Sequence, residues 1–175
     1  MGDRVYSVLF LCTSNSARSI MAEGILAKDG RDRFHAYSAG SQPKGTVNPF
    51  ALATLATFDY PHEGFSSKSW ETYSGPDAPE MDFVFTVCDS AAAEACPVWP
   101  GHPVTAHWGI EDPATVEGTD MAKQAAFNTA FRYLKNRIHL FTALPVASLD
   151  DLALRSKVRE IGASEGASAN RPSAA

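Results

Sequence analysis

The sequence predicts an α/β protein in which four parallel strands form a doubly wound sheet flanked by helices. Strand-like apolar runs alternate with amphipathic segments along most of the chain, a pattern typical of such sheets. The chain has 175 residues, the length of one domain. We place that domain at residues 1–161. Residues 162–175 are rich in Ser, Ala and Gly, so we expect a disordered tail there.

Four segments have the composition of buried strands. The first, Tyr6–Leu11, is followed directly by a cysteine, and Asp82–Val87 is apolar on both faces, as buried parallel strands tend to be. Shorter strands are predicted at His35–Ala39 and Pro103–His107. Ligands of such sheets bind beyond the carboxyl ends of the strands, which is where the candidate site should lie.

Helices are predicted where apolar residues recur at helical spacing or where capping residues introduce a helix. They span Ser19–Lys28, Pro49–Phe58, Thr119–Phe141 and Ser148–Ile161, with a helical turn over Ser67–Tyr73. Asn48 is the predicted N-cap of the second helix, because Pro49 follows it at the first helical position.

The residues after the first strand form a candidate site for a tetrahedral oxyanion. Cys12 and Arg18 enclose five small residues, and Ser19 opens a helix; the five are Thr13, Ser14, Asn15, Ser16 and Ala17. Backbone N–H groups of such a loop and a helix N-terminus favour an anion, and Arg18 offers a planar fork of donors. We expect the same field to hold Cys12 as a nucleophilic thiolate, with Ser19 donating to its sulfur. The alternative is a buried structural cysteine beside a surface arginine.

Asp112 is the candidate general acid. Pro113 follows it and biases it toward an extended conformation, from which a carboxyl group over the loop could protonate a departing oxygen. Asp-Pro pairs more often start a surface turn, and Glu111 is a neighbouring acid. The residues alone leave both interpretations open.

Two further cysteines follow the third predicted strand. Cys88 ends that strand at the sheet edge expected for Cys12, and Cys96 lies eight residues later in a segment of good helix formers. Eight helical residues rise about 12 Å, whereas a disulfide tolerates Cα separations of only about 7 Å. A Cys88–Cys96 disulfide therefore requires this short helix to unwind. Two buried structural cysteines are an equally good interpretation.

Three segments resemble one superfamily. Val8–Glu23 (VLFLCTSNSARSIMAE) resembles the start of the low-molecular-weight tyrosine phosphatases, and Ser38–Gly40 is similar to another of their motifs. His107–Ala114 (HWGIEDPA) resembles the arsenate reductase branch of that superfamily, and the likeness extends over residues 4–142. The resemblance places the acid of the family on Asp112.

The resemblance also implies a reaction. In the thiol-dependent, thioredoxin-coupled reductases, the residue at Cys12 attacks arsenate and the acid at Asp112 assists loss of an oxygen. Cys88 would then attack the adduct, releasing arsenite and leaving a Cys12–Cys88 disulfide. Cys96 would take over Cys88 and present a Cys88–Cys96 disulfide to thioredoxin or a similar reductant.

The chain departs from the family pattern at three places. Ser14 stands where glycine is usual, Ala17 stands where a second cysteine is common, and the Cys88–Cys96 interval is one residue longer than is typical. The last difference leaves open whether thioredoxin, or glutathione with glutaredoxin, completes the cycle. A phosphatase acting through a Cys12 phosphoenzyme is the alternative function, and a non-catalytic anion sensor or redox-regulated binding module is the third.

Composition excludes several other classes. The net charge of −5 and the pI of about 5.5 argue against nucleic-acid or anionic-membrane partners. No apolar segment approaches the ~20 residues needed to span a bilayer, and we expect a cytoplasmic protein. We expect no cofactor and no metal. Asn15, Glu23 and Ser38 match the residue types around a potassium ion in some relatives, but a metal-free network explains them equally well.

Overall fold

The computed structural model describes residues 4–93, 99 and 101–168. Four parallel strands form one sheet in the order β2-β1-β3-β4. They are β1 (Tyr6–Cys12), β2 (Phe34–Gly40), β3 (Phe83–Thr86) and β4 (Val104–His107). Each strand end lies within one residue of its predicted position, and the predicted parallel α/β sheet is confirmed.

Five α-helices surround the sheet in the described part of the chain. They are α1 (Arg18–Asp29), α2 (Pro49–Thr57), α3 (Asp89–Ala93), α4 (Asp120–Thr142) and α5 (Asp151–Gly162). Short 3₁₀ helices cover Trp70–Tyr73, Pro113–Thr115 and Val146–Ser148. The predicted N-cap of α2 is confirmed, because the side chain of Asn48 accepts a 2.8 Å hydrogen bond from the backbone of Phe50. None of the helices described here is both long and apolar enough to cross a membrane.

Alternation along β1 sends neighbouring side chains to opposite faces of the sheet. Val8, Phe10 and Cys12 face the larger core, to which α1, α4 and α5 contribute. Leu9 and Leu11 face a smaller apolar cluster on the other side. The sheet is therefore covered on both faces, and Cys12 emerges at its carboxyl edge on the side of the larger core.

Trp108 fastens the last helix to the end of β4. Its fully buried ring stacks on Phe85 with centroids 3.9 Å apart, and its Nε1 donates a 2.9 Å hydrogen bond to the carbonyl of Val158 in α5. The aromatic part of the HWGIEDPA motif is thus a packing element, and it fixes the chain just before Asp112.

The chain beyond α5 differs from the expected disorder. Residues 163–168 turn back over the sheet edge, where the backbone N–H of Ser168 donates to the carbonyl of Gly109 over 3.1 Å and Ala167 pairs with Ile110. Composition predicted a tail here because large apolar residues are few. Backbone hydrogen bonds provide the attachment instead, which residue counts do not reveal. The remainder of the predicted tail, 169–175, lies outside the described residues.

Candidate active site

The loop between β1 and α1 turns its peptide carbonyls outward. The carbonyls of Thr13, Ser14 and Ser16 accept hydrogen bonds from the backbone N–H groups of Gln42, Lys44 and Asn48, at 2.8 to 3.0 Å. In a planar trans peptide the following N–H points the opposite way. The N–H groups of Ser14, Asn15 and Ala17 therefore face away from those partners, as a nest for an anion requires.

Asn15 holds the shape of this loop. Its φ is +48°, a left-handed conformation that Asn tolerates better than most residues, and its side chain is fully buried. Its amide group donates to Ser19 Oγ over 2.8 Å and to Ser38 Oγ over 3.0 Å, and its Oδ1 accepts from the backbone of Lys68. The strained position is thus Asn15, not Ser14, where the absence of glycine suggested a cost.

A buried carboxyl group completes the network beneath the loop. Ser38 Oγ donates to Glu23 Oε1 over 2.6 Å. Burial raises the pKa of Glu23, while the hydrogen bond from Ser38 and the nearby Lys68 ammonium oppose that rise. The sequence linked Asn15, Glu23 and Ser38 but missed Lys68, which no local pattern connects to the loop. These side chains satisfy one another, as the metal-free interpretation requires.

Gly40 lets the end of β2 approach the loop. A Cβ at this position would lie 2.5 Å from the carbonyl oxygen of Thr13 and 2.8 Å from that of Cys12. Only glycine avoids this overlap with the backbone, which gives a physical reason for glycine in the Ser38–Gly40 segment.

Arg18 starts α1 and reaches across the sheet edge to the acid. Its Nη1 donates to the carbonyl of Ile110 over 2.9 Å, and its Nη2 lies 3.5 Å from Asp112 Oδ2. Its buried Nε has no hydrogen-bond partner in the described part of the chain. The guanidinium is therefore held in place while one of its inward donors is left for a ligand.

Asp112 is positioned by its own turn. Its backbone is extended (φ −77°, ψ 112°), as Pro113 predicted, and its Oδ1 accepts a 2.9 Å hydrogen bond from the backbone of Ala114. The carboxyl group is partly exposed and faces Arg18. Glu111 beside it is exposed. The structure brings Asp112, not only the turn that it starts, to the oxyanion loop.

Cys88 reaches the same loop from the neighbouring strand. Its Sγ accepts hydrogen bonds from the backbone N–H of Thr13 over 3.3 Å and from that of Ala91, in the first turn of α3, over 3.4 Å. It also bonds to the thiol of Cys12, and both residues are buried. Two thiols that are 76 positions apart in the sequence therefore form one pair.

The charge of this pair differs from the expectation of a Cys12 thiolate. The hydrogen bond from Cys12 lowers the pKa of Cys88 to about 5, and Arg18, Ala91 and Thr13 add to that effect against the cost of burial. The same hydrogen bond, together with burial, raises the pKa of Cys12 well above its usual value, although Arg18 opposes the rise. The backbone donors point at Cys88, so the pair holds its proton on Cys12 and its charge on Cys88.

Cys96 lies outside the described residues. The predicted helix after Cys88 begins as expected, with α3 at Asp89–Ala93. Its first turn is capped by the sulfur of Cys88, not by Asp89 or Ser90 as predicted. The unwinding that would join Cys88 to Cys96 stays a prediction.

A cavity of about 570 Å³ opens beside these groups. Its wall includes Arg18, Cys88, Asp112 and, from the C-terminal segment, Ser168. Sequence reasoning missed Ser168 because that segment was expected to be disordered. The cavity joins a charged fork, a thiol and a carboxyl group, which is the equipment for attack on a tetrahedral oxyanion.

A thiol at the floor of an anion loop on a parallel α/β sheet, with an arginine at the loop's end and an acid above it, defines the class of cysteine-dependent oxyanion enzymes. The model of the family described as low molecular weight phosphotyrosine protein phosphatase matches residues 7–150. The chain belongs to this family.

Relatives within the family are named for a different reaction. An arsenate reductase of Halalkalibacterium halodurans is 37% identical over 134 residues, covering 77% of this chain and 93% of the relative. One from Bacillus licheniformis is 38% identical over 138 residues, covering 77% and 94%. A solved arsenate reductase in the reduced state is 25% identical and superposes with a TM-score of 0.64, covering 79% of this chain and 98% of the other.

Proposed function

We propose that this protein reduces arsenate to arsenite through its own thiols. The observation that supports this most directly is the second thiol, Cys88, hydrogen-bonded to Cys12 at the oxyanion loop. A phosphatase needs one cysteine there, whereas reduction of arsenic from the +5 to the +3 state needs two electrons, which a pair of thiols supplies on forming a disulfide.

The first step is attack on arsenic. The loop N–H groups and Arg18 hold the arsenate oxygens, and the Cys12 proton passes along the hydrogen bond to Cys88. The Cys12 thiolate forms a sulfur–arsenic bond, and one arsenic–oxygen bond breaks. Asp112 gives its proton to the departing oxygen, which leaves as water. Because Asp112 lies beside Arg18, the acid and the anion fork act on the same substrate.

The second step is reduction. The Cys88 sulfur attacks the Cys12 sulfur, and a disulfide bond forms between them. The sulfur–arsenic bond breaks with its electron pair on arsenic, which becomes arsenic(III), and the Cys88 proton passes to an arsenic-bound oxygen. Arsenite leaves as its neutral acid, and two thiols have been oxidised. The hydrogen-bonded arrangement of the two sulfurs supports this step, because no large movement is needed for the sulfurs to meet.

The enzyme is then restored by thiol exchange. We propose that Cys96 attacks Cys88, frees Cys12 and carries the disulfide to the surface, with thioredoxin as the reductant and glutathione with glutaredoxin as the alternative. This relay rests on the family resemblance and on the spacing of the cysteines. Coupling of arsenate-dependent NADPH oxidation to one reductant system or the other decides between the two.

A single-turnover experiment tests the function itself. Reduced protein is mixed with arsenate in the absence of any other thiol, and arsenite and remaining thiols are measured. We expect one arsenite per chain, with loss of two thiols, and no arsenite from Cys88→Ser. The phosphatase alternative predicts the opposite pattern: no arsenite from the wild type, and hydrolysis of an aryl phosphate that needs Cys12 but not Cys88.

A further inference from the structure

Asp89, the residue after Cys88, is held by two elements that lie far from it in the sequence. His107 Nε2, at the end of β4, lies 2.7 Å from Asp89 Oδ1. Ser168 Oγ, in the C-terminal segment, donates to both carboxylate oxygens of Asp89, over 2.6 and 2.7 Å. The opposite nitrogen of the His107 ring lies 2.7 Å from Thr86 Oγ1, which fixes the ring in turn.

The site of this contact is closely packed. Gly109 leaves no room for a side chain, since a Cβ there would collide with the ring of His107 and lie 2.7 Å from Asp89 Oδ1. Ser168 is 8% exposed, and its backbone N–H donates to the carbonyl of Gly109. The HWG part of the motif thus forms a socket for Asp89, and the C-terminal segment closes it.

The partners also stabilise the charged form of the carboxyl group. Burial raises the pKa of Asp89, but the hydrogen bonds from Ser168 and His107 outweigh it and hold the pKa below its usual value. Asp89 is therefore an anion that two donors grip. Because it belongs to the first turn of α3, its position sets the position of the sulfur that precedes it.

We propose that Ser168 and His107 are positioning residues for the reductive step, which hold Cys88 against the oxyanion loop by gripping Asp89. Neither residue touches the reacting atoms. The inference rests on the proposed function for its kinetic consequence only. The geometry itself concerns the reduced protein without arsenate. Ser168 lies outside residues 7–150, the part of the chain that matches the family model, so this grip is contributed by the chain's own extension.

The experiment compares Ser168→Ala with two matched variants. Ser168→Thr keeps a hydroxyl donor at the same place. Ser156→Ala makes the same chemical change at an exposed position of α5. In each reduced protein, the pH dependence of Cys88 alkylation is followed by site-resolved mass spectrometry, and arsenite formation is followed in a single turnover.

For Ser168→Ala we expect the alkylation midpoint of Cys88 to move to higher pH and the second step to slow on the order of tenfold to a hundredfold, as misplacement of a reacting group by about 1 Å does. Ser168→Thr should restore both, and Ser156→Ala should match the wild type. An unchanged alkylation profile in Ser168→Ala would overturn the proposal. If the profile shifts but the wild type forms no arsenite, the proposed function fails and the positioning of Cys88 stands.

Discussion

The backbone N–H of Thr13 donates a hydrogen bond to Sγ of Cys88 over 3.3 Å. Thr13 is the first residue of the oxyanion loop, and Cys88 starts a different helix on the neighbouring strand. A donor that belongs to the anion loop thus stabilises a sulfur, so loop and thiol share one positive field. The reduced protein is accordingly arranged for two thiols to react in sequence at one place.

Removal of the Cys12 thiol should raise the pKa of Cys88. The hydrogen bond from Cys12 is the largest influence that lowers the Cys88 pKa to about 5. In Cys12→Ala, burial then dominates, and the midpoint moves toward the usual thiol value of about 8.5. Since the thiolate alone reacts, alkylation of Cys88 at pH 6 should be fast in the parent and slow in the variant.

Both proteins should also contain Cys96→Ser, so that Cys88 is the only cysteine in the variant. Alkylation at Cys88 is followed from pH 4 to pH 10 by mass spectrometry. A midpoint that stays near 5 after loss of Cys12 would show that Thr13 and Ala91 lower the pKa without their partner thiol.

Asp112→Asn should slow formation of the sulfur–arsenic adduct by about 10²- to 10⁴-fold, the usual contribution of a general acid. The amide keeps the shape of the side chain and can still accept from the backbone of Ala114, so the turn should persist. Glu111→Gln is the matched control, because it makes the same change at an exposed neighbour. Equal slowing in both variants would point to loss of local negative charge and not to proton donation.

Much of the fold was predictable because single segments determine it. Apolar runs such as Tyr6–Leu11 become strands wherever a core is available, and Asn48 with Pro49 starts a helix by local chemistry alone. The loop from Cys12 to Arg18 is equally local, so its role as an oxyanion cradle could be inferred from consecutive residues.

The parts that sequence reasoning missed depend on contacts between distant segments. The charge of the thiol pair follows from donors at Thr13 and Ala91 that point at Cys88, and side-chain types alone do not show this direction. The contact between Asp89 and Ser168 joins residues 79 positions apart, in a segment whose composition indicates disorder. Neither has a periodic or local pattern from which it could be found.

Asn15→Ala should lower the free energy of unfolding by about 3 kcal/mol. The change loses buried hydrogen bonds to Ser19 and Ser38, worth about 1 kcal/mol each, and places alanine in a left-handed conformation that costs about 1 kcal/mol more. Asn15→Gly loses the same bonds without that backbone cost, so it should be about 1 kcal/mol more stable than the alanine variant. Urea unfolding measures both, and equal losses would mean that the backbone at Asn15 is not strained.

Arg137→Leu should release the C-terminal segment from the sheet edge. Arg137 is fully buried in α4, and its guanidinium donates to the carbonyl of Glu165 over 3.0 Å and to those of Ser164 and Gly162 over 3.3 and 3.5 Å. Without it, these carbonyls must find water, and the segment can do so only by leaving the core. The backbone N–H groups of Ala167 and Ser168 should then exchange hydrogen much faster.

Arg137→Lys keeps the charge but loses the planar fork, so it should give an intermediate exchange rate. Arg155→Leu is the control, because Arg155 forms only an exposed pair with Asp151 on α5, the kind of pair worth about 0.5 kcal/mol. If Ser168 holds Asp89 as proposed, Arg137→Leu should also shift the alkylation midpoint of Cys88 to higher pH. Faster exchange at Ser168 with an unchanged Cys88 profile would separate the attachment of the segment from any effect on the thiol.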